Sequence, residues 1–414
     1  MNSIIRIKLS AMMFLQFFIW GAWYTTIAVY MSSNGMESLT HWPFTVNPIA
    51  AIIAPFFVGL IADRYFATER VLGVLHILGA VFMFLTPFAS GNPILFVLLL
   101  LGYNICYMPT MSLANTLAFH NMDNQEKEFP LIRVFGTIGW IVAGLVISFV
   151  LSSFVSGNLR PEQTAMPLYL TAAASLLLGL YSFTLPHTPP PAAGKKVSFK
   201  SIIGVDAFKQ LKGYPFYIFL LCSFLICIPL AAYYNFTQIY LEGAGFKNIA
   251  ATQTIGQMSE VLFMVLMPFF FVRLGIKWML ALGMIAWVIR YSLFSLGAPD
   301  VVSWMILTGI ALHGICYDFF FVTGQIYVDT KASPEIRGQA QGLIILVTYG
   351  VGMLVGAQIA GEVYNSFLGS AQSLTLNQWY NFWWIPAGFA GIVLVLFIIL
   401  FRDKKAELQQ KVIS

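Results

Sequence analysis

The segment that decides the fold is HTPPPAAGKKVSFKSIIGVDAFKQLKG, residues 187–213, the longest hydrophilic stretch between two strongly apolar regions. It contains three consecutive prolines, Pro189 to Pro191, and five lysines. A segment of this composition is typical of a solvated linker and not of a membrane helix. The sequence therefore predicts two halves, residues 1–186 and 214–401, joined by a cytoplasmic linker at 187–213 and followed by a cytoplasmic tail at 402–414.

Both halves are too poor in charge to be soluble domains. Of the 414 residues, 59% are hydrophobic and 9% are charged, whereas a soluble domain carries about 25% charged residues. A spanning helix needs roughly 20 predominantly apolar residues. The segments that meet this requirement are 9–31, 43–62, 70–89, 93–119, 131–156, 166–186, 214–241, 249–272, 276–297, 301–329, 338–365 and 379–401. We therefore expect an all-α membrane protein with twelve transmembrane helices in two six-helix bundles.

The basic residues predict the orientation of these helices. With a cytoplasmic N-terminus, 18 of the 22 Lys and Arg fall on the cytoplasmic side, and Arg160 and Lys247 fall outside. Cytoplasmic loops carry an excess of Lys and Arg, so both termini are predicted to be cytoplasmic and the protein to lie in an inner membrane. The same distribution explains the net charge of +5 without a nucleic-acid partner.

The sequence carries no signature of a metal site, a cofactor or an enzyme. The four cysteines lie inside apolar segments and the five histidines are scattered, so neither set has the spacing of metal ligands. Nucleophile–base and zinc-protease motifs are absent from the sequence. We expect no cofactor and no metal, and we expect a function other than catalysis.

Each half has a short basic turn after its second helix, GLIADRYFATER at 59–70 and FVRLGIK at 271–277. Gly59, Asp63, Arg64 and Arg70 resemble the loop signature of the major facilitator superfamily, with Tyr65 in place of the usual second glycine. The resemblance implies close helix packing at Gly59 and a conformational latch formed by the charged residues. Paired six-helix bundles of this kind are typical of secondary transporters.

Three ionisable residues inside the predicted helices are candidates for function: Arg133, Glu260 and Asp318. A charge near the bilayer centre costs about 2.5–3.5 kcal/mol on insertion scales. Polar and aromatic residues on the same helical faces, or in the seventh helix, are Thr137, Trp140, Tyr234, Asn235, Gln257 and Phe321. Amides and aromatic rings suit a flat heterocycle joined to a polyhydroxy ring. Burial favours the neutral form of a carboxyl group, so Glu260 and Asp318 are predicted to carry protons.

Structural interpretations of the same residues stay open. A single amide inside a membrane often joins neighbouring helices, and aromatic residues often face lipid or the interface. Arg290, toward the outer end of the ninth helix, is expected to snorkel or to pair structurally.

Longer segments carry a closer resemblance. FPLIRVFGTIGW (129–140), GQMSEVLF (256–263), YDFF (317–320), LQFFIWGAWYTT (15–26) and YMPTMSLANT (107–116) are similar to segments of the bacterial nucleoside:proton symporters, in the same order along the chain. The resemblance implies proton-driven nucleoside uptake across the bacterial inner membrane. The substrate contacts that it implies are Arg133, Thr137, Gln257, Glu260 and Asp318, with Trp140 and Tyr317 as aromatic walls, and Tyr234 beside Asn235 at an amide position.

Two other transport functions remain alternatives. A proton-coupled sugar symporter is the first, because hydroxyl-rich substrates are bound by the same amides and acids. A drug exporter is less favoured, since the polar faces are dense. We expect a monomer in the lipid bilayer whose partners are a nucleoside and protons.

Overall fold

The computed structural model describes residues 2–157, 159–190, 205–333 and 336–402, without the side chains of 54–64, 126 and 205–207. Within these ranges the regular structure is helical and there is no β-strand. Nine helical segments among the described residues are long and apolar enough to span a bilayer, and Met166–Ser182 is a shorter apolar helix. The prediction of an all-helical chain is confirmed. Most of the predicted linker and tail, at 191–204 and 403–414, lies outside the described residues.

The first part of the chain forms seven α-helices in the described ranges. They are α1 (Ser3–Tyr24), α2 (Ile27–Ser33), α3 (Trp42–Tyr65), α4 (Thr68–Leu85), α5 (Pro93–His120), α6 (Gln125–Leu145) and α7 (Met166–Ser182). A π-helical turn, Val146–Val150, and short 3-10 helices at Leu151–Phe154 and Pro161–Gln163 follow α6. Asn92 and Asn124 cap α5 and α6, each accepting a hydrogen bond from a first-turn backbone N–H.

The second part is interrupted more often. Its α-helices are α8 (Val205–Gln210), α9 (Tyr214–Gly243), α10 (Ile249–Gly297), α11 (Ser303–Ala311), α12 (His313–Tyr317), α13 (Thr323–Lys331), α14 (Arg337–Ile345), α15 (Met353–Leu368) and α16 (Leu376–Leu400). π-Helical turns at Asp318–Val322 and Leu346–Gly352 lie between α12 and α13 and between α14 and α15. Within α10 the backbone is non-helical only at Gly275, where φ is 65°, a value that favours glycine.

The chain divides into two compact units. Unit 1 comprises Met1–Val197 and Phe246–Thr254, and unit 2 comprises Ser198–Gly245 and Ile255–Ser414. In unit 1, α1 packs on α6 and α7, and α4 packs on α5 and α7. Gly139 of α6 lies against the backbone of Phe14 in α1, where a Cβ atom would collide with the Phe14 carbonyl oxygen. This approach fixes the face of α6 that carries Trp140.

In unit 2, α9 packs against α15 and α16. Aromatic rings fill the space between these helices and α10; Tyr291 stacks on Trp383 with ring centroids 5.7 Å apart, and Trp383 also lies 5.0 Å from Phe294. Such pairs add about 0.5–1.5 kcal/mol each beyond the area they bury. Because α15 and α16 pack on one side of α9, its other face, with Tyr234, lies toward α12.

Candidate functional site

Unit 1 contains a buried polar network built on His76. Its Nε2 lies 2.9 Å from Oε1 of Gln16, and its Nδ1 lies 3.1 Å from Oγ of Ser175. The Gln16 amide nitrogen donates to the Thr110 hydroxyl at 2.7 Å, and the Tyr107 hydroxyl donates to the Gln16 backbone carbonyl. Each of these side chains has a partner, so the network joins α1, α4, α5 and α7 as a structural element.

The predicted face of α6 lies beside the aromatic residues of α1. The guanidinium carbon of Arg133 is 4.0 Å from the ring centroid of Phe17. The Trp140 ring lies 5.4 Å from Trp20, and its buried Nε1 has no hydrogen-bond partner among the described residues. Thr137 lies on the same helical face and is half-buried. Arg133, Thr137 and Trp140 thus form one polar and aromatic strip along unit 1.

The buried carboxylate of unit 2 is Asp318, which is 0% exposed. Neither of its two side-chain oxygens has a hydrogen-bond partner in the described part of the chain. Asp318 opens the π-helical turn Asp318–Val322, a type of turn that is frequent at functional sites. Glu260 is half-buried and close enough to interact electrostatically with Asp318. The two predicted proton carriers therefore lie together.

Two glycines explain how α10 and α12 come so close. A Cβ on Gly314 would lie 2.5 Å from the carbonyl oxygen of Ser259, and a Cβ on Gly256 would lie 3.2 Å from Cβ of His313. The Ser259 hydroxyl donates to the carbonyl of Ala311, which ties the two helices further. This packing places Glu260, the residue after Ser259, beside the turn that carries Asp318.

An aromatic cluster adjoins these acids. The Tyr349 hydroxyl donates to the Tyr317 hydroxyl at 2.6 Å, and the ring of Phe321 lies 5.4 Å from both Tyr317 and Tyr349. Tyr234 of α9 meets His313 edge-on, with ring centroids 6.0 Å apart. Tyr317 and Phe321 of the predicted segment 301–329 are thus brought into one cluster with Tyr234 of segment 214–241, His313 and Tyr349.

Arg290 is fully buried behind this cluster. Its guanidinium carbon lies 3.3 Å from the ring centroid of Tyr233, and its Nη1 donates to Nδ1 of His313 at 3.1 Å. A guanidinium has no acceptor, so Nδ1 of His313 accepts and the proton of the neutral imidazole resides on Nε2. Of the two expectations for Arg290, snorkelling is wrong because the side chain is enclosed, and structural pairing describes it.

Of the other predicted residues, Asn235 lies apart from the cluster. Asn235 is 0% exposed and its amide nitrogen donates to the Ala357 carbonyl at 3.4 Å, between α9 and α15. Gln257 is half-buried, and its Oε1 has no partner among the described residues. Arg70 is exposed in the first turn of α4. Gly59 lies within α3, and the side chains of Asp63 and Arg64 lie outside the described part, so the latch stays a prediction.

Sequence reasoning missed His313 and Tyr349. His313 lies four residues before Tyr317 and eight before Phe321, so the helical spacing that grouped the other residues also includes it. The pairing of Tyr349 with Tyr317 joins two segments 32 residues apart, and no local pattern reports such a contact. Across the described ranges no cluster of three or more His, Cys, Asp or Glu could hold a metal ion.

Long apolar helices with buried acids, amides and aromatic rings on their inner faces define a multi-pass membrane transporter of the major facilitator fold. The chain belongs to the nucleoside H+ symporter family, whose model matches residues 2–406. The predicted family is therefore confirmed, and it is a family of transporters.

Individual relatives agree with this assignment. The chain is 42% identical over 411 residues to the putative nucleoside transporter YegT of Escherichia coli (strain K12), covering 97% of this chain and 95% of YegT. It is 30% identical to the nucleoside permease NupG of the same strain, covering 97% and 96% of the two chains. The crystal structure of nucleoside transporter NupG superposes with a TM-score of 0.84 at 30% identity, covering 98% of this chain and 100% of that one.

Proposed function

We propose that this protein takes up nucleosides with protons across the bacterial inner membrane by alternating access. Its membership of the nucleoside H+ symporter family supports the reaction. The names of its relatives, among them a xanthosine permease of Escherichia coli (strain K12) that is 30% identical over 96% of this chain, support the substrate class.

The observation that carries the proposal is Asp318. A carboxylate that is 0% exposed and has no hydrogen-bond partner among the described residues is stable only when it is protonated or when a ligand supplies the missing donors. Both conditions occur in a proton-coupled carrier. Glu260 next to it makes full ionisation of the pair unfavourable, because two like charges repel at short range.

The groups around Asp318 suit a nucleoside. Tyr317, Phe321 and Tyr234 offer ring faces, and stacking a base on an aromatic ring is worth about 1–3 kcal/mol. The amide of Gln257 can donate to or accept from the edge of a base, and the Glu260 carboxyl can form hydrogen bonds with ribose hydroxyls. In unit 1 we propose that Arg133, Thr137 and Trp140 also contact the substrate.

The proposed cycle begins with protonation of Glu260, Asp318 or both from the outside. The neutral acids then admit the solute, and rocking of the two halves exposes it to the cytoplasm. The membrane potential supplies about 2.3 kcal/mol per proton at 100 mV, which corresponds to roughly 50-fold accumulation of a neutral solute. Neither a metal nor a cofactor is needed for this cycle.

We also propose twelve spans with both termini in the cytoplasm. The nine candidate spans become twelve when α3 and α7 are added and α10 is divided at Gly275. An even number of spans agrees with the bias of basic residues toward one side. We expect the protein to function as a monomer in the lipid bilayer.

Uptake by purified protein in proteoliposomes tests the proposal. The pH outside the proteoliposomes is set below the pH inside. Radiolabelled uridine, adenosine and xanthosine are then added one at a time, and unlabelled nucleosides or hexoses are added as competitors. We expect gradient-dependent accumulation that nucleosides inhibit and hexoses do not. Inhibition by hexoses alone would favour the sugar symporter, and accumulation that persists after a protonophore would contradict proton coupling.

A further inference from the structure

Unit 2 encloses a permanent positive charge that no carboxylate balances within the described ranges. Arg290 is 0% exposed, and its Nε and Nη2 have no hydrogen-bond partner among the described residues. The ionisable side chains close enough to interact with its charge are Tyr233, Tyr291, His313 and Cys316. A buried charge is costly unless it is paired, and an apolar side chain of similar size would avoid that cost. An arginine at this position therefore needs a reason other than packing.

Arg290 holds His313 in a single protonation form. Its Nη1 donates to Nδ1 of His313 at 3.1 Å. Because a guanidinium can only donate, Nδ1 carries no proton and the proton of the neutral ring is on Nε2. A second proton on the imidazole would place two positive charges within hydrogen-bond distance of each other, which is unfavourable. His313 is therefore a neutral side chain with one N–H donor, at Nε2.

The packing of unit 2 also fixes the orientation of the imidazole ring. The ring stacks on Tyr233, with centroids 5.3 Å apart and an angle of 22° between the planes. The guanidinium carbon of Arg290 lies 3.3 Å from the centroid of the same tyrosine ring. On the α10 side, a Cβ atom on Gly256 would lie 3.2 Å from Cβ of His313, so the two helices are in close contact there. A donor that is oriented before a ligand arrives loses less entropy when the ligand binds.

The Nε2–H of His313 is directed away from Arg290, because the two nitrogens of an imidazole point to different sides of the ring. Nε2 has no hydrogen-bond partner among the described residues. Two further rings adjoin the imidazole, that of Tyr234 edge-on at 6.0 Å and that of Tyr317 at 5.7 Å. Both belong to the aromatic cluster that the proposed function assigns to the nucleobase. We therefore expect the missing acceptor on the base and not on the ribose.

We propose that His313 donates a hydrogen bond from Nε2 to the nucleobase, and that Arg290 is the positioning residue that keeps His313 a donor. A fixed donor favours a base with a carbonyl oxygen at the facing edge, as in uridine, over a base with an amino group there, as in cytidine. The amino group would meet the imidazole N–H donor to donor and leave both without an acceptor. This inference rests on the proposed function and adds to it a preference among nucleosides.

Equilibrium binding of radiolabelled uridine and cytidine to the purified protein tests the inference, because the two nucleosides differ only at one edge of the base. For the unaltered protein we expect the Kd for cytidine to be about tenfold above that for uridine. Arg290→Met removes the donor to Nδ1, so that His313 can take either tautomer and can accept from an amino group. In this variant the Kd for uridine should rise and the Kd for cytidine should fall, which brings their ratio close to one.

Three further variants separate positioning from a purely structural role, which would weaken the binding of both nucleosides in proportion. His313→Phe keeps an aromatic ring without nitrogen atoms and should also bring the ratio close to one. Arg290→Lys, whose ammonium can donate to Nδ1, should retain most of the preference for uridine. Tyr291→Phe is the matched control from the next position in α10; it removes a buried hydroxyl that donates to the Pro229 carbonyl at 2.6 Å, and it should leave the ratio unchanged.

Equal affinities of the unaltered protein for uridine and cytidine would overturn the inference and leave the proposed function intact. So would a ratio of affinities that either Arg290→Met or His313→Phe leaves unchanged. His313→Phe and Arg290→Lys decide the question if Arg290→Met does not yield folded protein. If the unaltered protein binds no nucleoside at all, the proposed function itself fails and the inference fails with it.

Discussion

Each of the two units contains a buried histidine that hydrogen-bonds to another side chain, His76 in unit 1 and His313 in unit 2, and the surroundings of these two histidines differ. In unit 1, His76 lies within 3.1 Å of polar atoms of Gln16 and Ser175, and Gln16 is bonded in turn to Thr110. In unit 2, His313 accepts from Arg290, but Nε and Nη2 of Arg290 have no partner among the described residues. Both carboxylate oxygens of Asp318 also lack a hydrogen-bond partner among the described residues.

The difference indicates which of these two clusters retains polar groups for a reason other than folding. An unsatisfied buried polar group costs about 1–3 kcal/mol and more when it is charged. The network around His76 avoids that cost, so it is explained by stability alone. The cluster around Asp318 does not avoid it, and residues that lower stability in this way are typical of functional sites.

The largest expected effect follows from removing a proton carrier of unit 2. At least one of Asp318→Asn and Glu260→Gln should reduce uridine accumulation at 100 mV from about 50-fold to none, because no proton then moves with the solute. Exchange of labelled for unlabelled uridine at equal pH should persist, since the aromatic cluster remains. Both quantities are measured in proteoliposomes with and without an imposed gradient.

Asp300→Asn is the matched control, an exposed acid of the same unit. It should accumulate uridine like the unaltered protein. Full gradient-driven accumulation in both Asp318→Asn and Glu260→Gln would contradict the proposal that these acids carry the proton. The cluster around Asp318 would then have no more evidence of function than the network around His76.

The second effect is on stability, and its sign should differ between the units. Gln16→Leu leaves His76 and Thr110 without their shared partner and should lower stability by about 1–3 kcal/mol. Asp318→Asn removes a buried carboxyl without hydrogen bonds and should leave the midpoint of thermal unfolding unchanged or raise it by a few degrees. Unfolding of detergent-solubilised protein, followed by thiol or tryptophan fluorescence, measures both.

If the midpoint of thermal unfolding fell as far for Asp318→Asn as for Gln16→Leu, the predicted difference in stability between the two clusters would be wrong. His76→Ala serves as a second probe of unit 1 and should resemble Gln16→Leu. Gly91→Ala lies in an exposed loop with open space around the added methyl group, and it reports the change expected from substitution alone.

Much of the fold was predictable because a bilayer fixes the length and the polarity of what crosses it. The predicted segments 93–119 and 379–401 correspond closely to Pro93–His120 and Leu376–Leu400. The positions at which helices are interrupted were harder to predict from the sequence. The break at Thr25–Thr26 between α1 and α2, and the π-helical turns, arise where one helix adapts to another, and the hydropathy of a segment does not record that.

The site divides in the same way. Spacing on one helix anticipated that Arg133 and Trp140 share a face, and both lie beside aromatic residues of α1. Contacts between helices were not available from the sequence. Tyr234 and Asn235 are neighbours in sequence, yet the first faces His313 and the second donates to Ala357, because α9 packs on α12 with one side and on α15 with the other.

The smallest effect tests the hydroxyl pair of the aromatic cluster. Tyr349→Phe removes the donor to Tyr317 and keeps the ring beside Phe321, so the site loses one hydrogen bond worth about 0.5–1.5 kcal/mol. If that bond orients the Tyr317 ring for stacking on a base, KM for uridine should rise about two- to tenfold with little change in the maximal rate.

Tyr240→Phe removes a hydroxyl that donates to the Phe294 carbonyl at 2.8 Å in the aromatic core of unit 2, and it should lower stability without changing KM. KM could stay unchanged in Tyr349→Phe, or it could rise equally in Tyr240→Phe. Either result would show that the Tyr317–Tyr349 pair stabilises the fold of unit 2, as the His76 network stabilises unit 1, and does not belong to the substrate site.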